Sequence, residues 1–329
     1  MTVNTTQTLT RPVIGRGVAP RPEQQAVIAG TRPRPSASAG DVVLAYLRAQ
    51  AHALTSLEPA VRADEFDSVH QMRVATRRLR AALRSFRQVI PRADSDHLAA
   101  ELRWLGQALG RARDDEVLAA YLRDGLRPVP PELLIGPVQA RVQGHFAPRR
   151  AASRTALLEA LDSPRYAALL AGLDRLAYEP PHGPQAAARA RDVLPAAVRR
   201  AYRQAKRRMR HARQTPPGAA RDAALHQARK SARRARYAAE ATAPAAGRPA
   251  RKFAGQMKRV QSVIGAHHDA VVARLQAREL GIGAYQAGEN ALTYGLLYER
   301  VAREAERLDA AAHQVWRRAS RRRHRSWMR

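Results

Sequence analysis

The sequence of 329 residues contains no cysteine, which excludes disulfides and thiolate-ligated zinc or iron–sulfur sites and fits a reducing compartment. Aromatic residues amount to 5%, so stacking platforms for single-stranded nucleic acid are scarce. Strand-forming runs of Val, Ile, Thr and Tyr are nearly absent beyond the first forty residues. Apolar runs such as 167–173 fall far short of the ~18 residues that span a bilayer. The opening MTVNTTQTLTRPVIGRG has no basic segment followed by an apolar one, so no signal peptide is expected. A soluble, cytoplasmic protein with no membrane attachment is the expectation. Acidic residues are also few: 28 Asp and Glu stand against 58 Lys and Arg.

What remains is rich in Ala, Leu and Arg, all good helix formers, and predicts an all-α fold. The formal net charge is +30. Residues 1–40 carry +4 and residues 317–329 carry +7, which leaves +19 on the body. A field of that size costs folding energy through self-repulsion and attracts polyanions. Composition predicts a disordered tail over 1–39, a helical domain over 40–318 and a solvated basic tail over 319–329. Within the domain, helices are expected from an N-cap at Asp41, over 65–89, 96–110 and 114–126, and over 132–178 with an interruption at Ser163–Pro164. A linker at 179–184 precedes helices over 186–214, 219–241, 251–265, 269–280 and 286–316.

The chain repeats itself. VHQMRVATRRLRAAL begins at Val69 and LHQARKSARRARYAA at Leu225, sharing His-Gln-x-Arg-x-x-x-Arg-Arg-x-Arg. LGRARDDEVL from Leu109 is echoed by IGAHHDAVVA from Ile264. The first pair is offset by 156 residues and the second by 155, so two related halves are expected, about 40–178 and 186–316. At about 100° per residue, His70, Arg73, Arg77, Arg80 and Arg84 share one stripe about 80° wide, while Met72, Leu79, Ala82, Leu83, Phe86 and Ile90 occupy the opposite side. In the second copy His226, Arg229, Arg233 and Arg236 form the stripe, with Glu240 on its last rung. Arg78, Lys230 and Arg234 flank these rows. A solvated face would mix signs to gain ion pairs at four-residue spacing; an unmixed row of cations calls for an external anion.

Arginine's planar fork fits phosphate bidentately, and a histidine among arginines stays neutral until an anion arrives. A linear ladder suits a linear phosphate polymer. Arg203, Lys206, Arg207 and Arg210 on the 186–214 helix would wall the groove in one half and Arg48 in the other, with Arg103 and Lys258 extending it.

These motifs resemble the CHAD family, helical domains named for their histidines. VHQMRVATRRLRAAL is close to its signature, LRWLGQALGRARDDEVL looks like its second motif, and LHQARKSARRARYAA and QSVIGAHHDAVVA sit where its second half places them. The resemblance covers roughly residues 40–318. It implies two pseudo-symmetric four-helix bundles, a basic central groove or pore, binding of inorganic polyphosphate, and association with polyphosphate granules. The second half departs in having His267-His268 where the first has Ala112-Arg113, and Ala228 in place of Met72. The separate acidic β-barrel carried by many relatives has no counterpart in this sequence.

His267-His268-Asp269 suggests a metal hydrolase, but its repeat counterpart Arg113-Asp114 cannot ligate metal and no acidic partners stand at ligand spacing. Asp114 and Asp269 are expected to cap a helix or pair with a basic neighbour. Trp104 and Trp316 are expected in helix packing. There is no phosphate-binding glycine loop, nucleophile elbow or pair of catalytic carboxylates. A binding protein without catalysis, metal or cofactor is therefore expected. The competing reading is nonspecific nucleic-acid binding, which the same charge would serve.

Overall fold

The computed structural model describes residues 37–178 and 183–329. Most of the expected N-terminal tail and residues 179–182 of the expected linker lie outside them. Helices dominate: α1 (Ala39–Ser56), α2 (Glu58–Arg62), α3 (Ser68–Ser85), α4 (Arg92–Leu126), α5 (Val138–Asp162), α6 (Pro164–Tyr178), α7 (Ala190–Gln214), α8 (Ala219–Gln286) and α9 (Leu292–Ala319). Short 3-10 turns follow α4 and α9. The only strand-like pairing among the described residues is an isolated bridge between Ser38 and Arg189, so the expected all-α fold is what forms.

Several boundaries differ from the sequence reading for identifiable reasons. The first helix is capped by Ser38 rather than Asp41, and residues 37–39 belong to the folded body. Asp41 is the other member of a capping box: Ser38 Oγ accepts from the Asp41 amide at 3.1 Å, and the Asp41 carboxylate accepts from the Ser38 amide at 3.2 Å. The helix expected from Glu65 begins at Ser68, because Asp64 and Asp67 both turn left-handed ahead of it. The interruption at Ser163–Pro164 falls where expected.

Two expected breaks do not occur. Helix α4 runs unbroken for 35 residues through Gly110, and α8 runs for 68 residues through Gly265. Glycine reads as a helix stop, but these two serve close approach. A β-carbon on Gly110 would lie 3.3 Å from the Arg73 guanidinium, and one on Gly265 would lie 3.2 Å from that of Arg229. The same arginine-on-glycine contact thus occurs at equivalent places in the two repeats. The real kink in α8 is at Gly247, whose φ of +67° few other residues adopt.

The apolar residues predicted on the inner side of α3 are all buried: Met72, Leu79 and Leu83 fully, with Ala82, Phe86 and Ile90 almost so. The core does not divide at the repeat boundary. A large central core takes residues from both halves, among them Leu105, Leu109, Val198, Phe253 and Ile264. A smaller outer core is built from Leu122, Val142, Phe146, Ala273, Leu297 and their neighbours. Helices α4, α5, α8 and α9 each contribute to both. Gly110 and Gly265 stand where α4 and α8 leave the central core.

The C-terminal residues correct the expectation of a solvated tail. Met328 is 2% exposed. Trp327 packs edge-on to Phe253 at 6.2 Å, and its Nε1 donates to the His324 carbonyl at 3.1 Å. Arg325 lies over the Tyr202 ring. The arginine content of this stretch hid two apolar anchors. Trp316 stacks on Tyr202 and Trp104 lies beneath Arg165, both packed against the central core as expected. Truncating Met328 to Ala should cost about 2–3 kcal/mol, the low end for a buried Met in a core. Thermal unfolding measures it; an unchanged midpoint would mean the end of the chain is solvated after all.

Candidate functional site

The two signature helices, α3 and α8, pack against each other and bring their cation stripes into one field. The apolar faces fix this arrangement: Met72 and Leu79 behind one row, and Ala228, Ala232 and Ala235 behind the other, are fully buried. Arg77 sits at the centre. Burial, then Arg233 and Arg73, pull its pKa down to about 9, with the Tyr237 hydroxyl opposing them. It remains a cation at neutral pH, held against its own preference. Burial also depresses Arg233, with Arg229, Arg73 and Arg80 adding to the effect against Tyr237. Burial, Arg84, Arg103 and Arg234 act downward on Arg80; burial, Arg84 and Arg87 do so on Arg234. Lys230 is lowered by burial, Arg233 and Arg80.

The Nε–H groups of Arg73, Arg80 and Arg229 are buried without an acceptor. Such donors are costly to leave unmet, and here they cluster with like charges that repel one another. The compensating acid is sparse. Arg73 donates to Asp114 at 2.6 and 3.4 Å, as the sequence reading allowed for that aspartate. Asp269, its repeat counterpart, is raised by burial, with Arg229 and Arg73 opposing.

Of the signature histidines, His70 is exposed and His226 half-buried. Burial lowers His70, with Arg113, Arg77 and Arg73 adding to the effect and Asp67 countering it. His226 is pushed down to about 4 by burial, then by His268, Lys230, Arg229 and Arg233. The His226 ring lies 4.1 Å from that of His268, centroid to centroid. His268 is itself lowered by burial and Arg229. All are neutral at pH 7 and would gain charge only beside an anion.

With this geometry in place, a family model for the CHAD domain matches residues 45–278. The chain belongs to the CHAD domain family. It is 35% identical over 278 residues to two uncharacterized proteins of Mycobacterium tuberculosis, MT2285 of strain CDC 1551 and Rv2226 of strain H37Rv. That alignment takes in 84% of this chain and 52% of each relative, so the chain spans about half the length of these curated relatives. Among solved structures, the CHAD domain from the plant Ricinus communis aligns at TM-score 0.63 and 28% identity, over 85% of this chain and 92% of that one. PptA from Streptomyces chartreusis aligns at TM-score 0.72 and 22% identity, over 85% of this chain and 100% of that one, a likeness of fold.

Several residues of the expected set are engaged by other protein groups, and others lie exposed. Arg48 donates through Nε and Nη2 to the Ala177 carbonyl at 3.0 and 2.6 Å, closing the C-terminal end of α6. Arg78 and Arg236 are both held by Glu240. Arg203, Lys206, Arg207 and Arg210 are exposed along α7. Gln204 of the same helix accepts from Arg234 at 2.8 Å. Lys258 is exposed on α8. Arg103 and Arg84 are exposed but act on Arg80.

Arg113 and His268 were missing from the expected set. They occupy equivalent places in the repeat, each beside the signature histidine of its own half. The signal was in the sequence, where the second half reads His267-His268 against Ala112-Arg113 in the first. His267, by contrast, is 3% exposed and approaches Asp222 at 3.3 Å. It is a buried packing histidine of the second half. Among the described residues no group of His, Asp and Glu is arranged to hold a metal ion, and no helix is long and apolar enough to cross a membrane.

The depressed His226 pKa sets a pH dependence. The unfolded histidine takes up a proton below about 6.5, whereas the folded one resists until about 4. Stability is therefore unaffected above pH 6.5 and falls as pH drops from 6.5 toward 4. His226→Gln should shrink the loss between pH 7 and pH 5, read by chemical denaturation at the two pH values. An unchanged loss would place the acid sensitivity on other histidines that burial lowers, among them His70, His267, His268 and His313.

Proposed function

We propose that the cleft between α3 and α8 binds inorganic polyphosphate, without catalysis, and that binding places the protein at polyphosphate granules. The observation that carries this is the Arg77–Arg233 confrontation. Cations from both repeats are half-buried in one another's field, with unmet Nε–H donors beside them. Leaving that arrangement empty costs stability, and a chain of linked phosphates removes the cost along its length. The resemblance to a family of polyphosphate-binding domains supports the choice of polymer. A single orthophosphate would engage too few of these groups to bind well. Contributions from both helices make one shared site, so engagement of one row holds the polymer at high local concentration for the other.

Binding should weaken steeply with salt, because each neutralised phosphate releases counterions. It should take up protons, since an anion raises the pKa of His70, His226 and His268, and affinity should rise as pH falls below 7. Arg77→Met should lower affinity by roughly 10- to 100-fold, the value of one charge-assisted contact of about 1.5–3 kcal/mol. The same change should raise the melting temperature of the free protein, because it removes a cation that burial and Arg233 disfavour. Calorimetry with long-chain polyphosphate, set against duplex DNA of matched charge at physiological salt, measures both affinities. Equal or tighter binding to DNA would favour the nucleic-acid reading, and undiminished polyphosphate binding by Arg77→Met would remove the cleft from the site.

A further inference from the structure

The repeat offset makes Arg78 equivalent to Arg234, Arg80 to Arg236 and Arg84 to Glu240. These six residues form the two flanks of the seam between α3 and α8, and the flanks are chemically opposite. On one, Glu240 accepts from Arg78 Nε at 3.2 Å and from Arg236 Nε at 2.6 Å. Its side chain is 22% exposed, so both ion pairs are sheltered from solvent screening. The two guanidinium groups also lie over the Tyr237 ring at 5.8 and 5.4 Å, and Arg236 reaches Gln261 at 3.3 Å. On the other flank an arginine stands where the glutamate would be. Among the described residues, Arg80, Arg84 and Arg234 there share no carboxylate; Arg234 donates to the neutral Gln204, and Arg80 Nε has no acceptor. Lys230 lies beside Arg80. Arg87, next to Arg234, is occupied by Asp96.

We propose that Glu240 shuts one flank of the cleft to the anion, so that the polymer enters and leaves across Arg80, Arg84 and Arg234 on the other. The Arg78–Glu240–Arg236 group carries one net positive charge and has its strongest donors already engaged. A phosphate approaching it must displace a half-buried carboxylate or bear its repulsion. The opposite group carries three unmatched charges in nearly the same frame. One acidic side chain thus makes a two-sided repeat into a one-sided site. This inference rests on the polyphosphate reading of the cleft and assigns Glu240 and Arg84 as the residues that set which flank is open.

The test uses the full chain and long-chain polyphosphate in calorimetry, with affinity taken at several salt concentrations. Glu240→Gln keeps the shape and frees Arg78 and Arg236. It should tighten binding about 3- to 10-fold and steepen the salt dependence, since two more cations join the field. Arg84 is exposed, so Arg84→Glu leaves the core intact, and thermal melting checks this. It should weaken binding more than 10-fold by placing on the open flank the acid found on the closed one. The double exchange, Arg84→Glu with Glu240→Arg, has the wild-type net charge and should recover most of the loss by opening the other flank. Wild-type affinity and salt slope in both single variants would overturn the inference while leaving the cleft reading standing. So would a double exchange no better than Arg84→Glu alone. Absence of wild-type binding to polyphosphate would overturn both.

Discussion

Arg77 and Arg233 repel each other across the seam of α3 and α8, and the surrounding structure is what keeps them there. Met72, Leu79 and Leu83 on one helix, and Ala228, Ala232 and Ala235 on the other, are fully buried. Each such Leu or Met contributes about 1.5–3 kcal/mol when taken out of water. The energy of that packing holds the cations in place at a cost to the free protein. Arg73 and Arg229 extend the arrangement by lying flat on helix backbone at Gly110 and Gly265, where any side chain would press on the guanidinium. A cation cluster of this kind is sustained by the core. The polyanion proposed for it would act as a structural component as well as cargo.

Much of this was legible in the amino-acid sequence, and the limits are physical. The 3.6-residue period of α3 separated its buried side from its cationic one, because periodicity reports burial directly. The repeat placed His70 with His226 and Arg77 with Arg233. Periodicity cannot say which guanidinium group meets a carboxylate from a distant part of the chain. Arg78 pairs with Glu240 across 162 residues, and Arg48 finds the Ala177 carbonyl across 129. The glycines misled for a different reason. Gly110 and Gly265 carry a strong local signal for ending a helix, yet a neighbouring arginine uses the bare backbone, and tertiary packing overrides propensity. At the C-terminus, an arginine-rich composition outweighed Trp327 and Met328, though two apolar residues suffice to dock a short segment.

The histidines take their character from the same field. His70 and His226 are the residues by which the motif is recognised, yet in the free protein burial and neighbouring cations keep both neutral. Arg113 beside one and His268 beside the other show how the repeats have diverged while keeping the electrostatic result. A permanent cation in the first half corresponds to a titratable ring in the second. The two halves of the cation cluster are therefore unequal in their response to pH as well as in their acids.

Helices α4, α5, α8 and α9 each pass from the central core into the outer one, and Val263 on α8 packs against both. Neither core can come apart without stripping a helix from the other. Separate domains joined by a linker melt in separate steps, whereas elements that share their helices lose structure together. The protein should thus unfold as one cooperative unit despite its two cores. Under the binding proposed, strain relieved by an anion at the seam of α3 and α8 would be felt by the whole helical body, the outer core included.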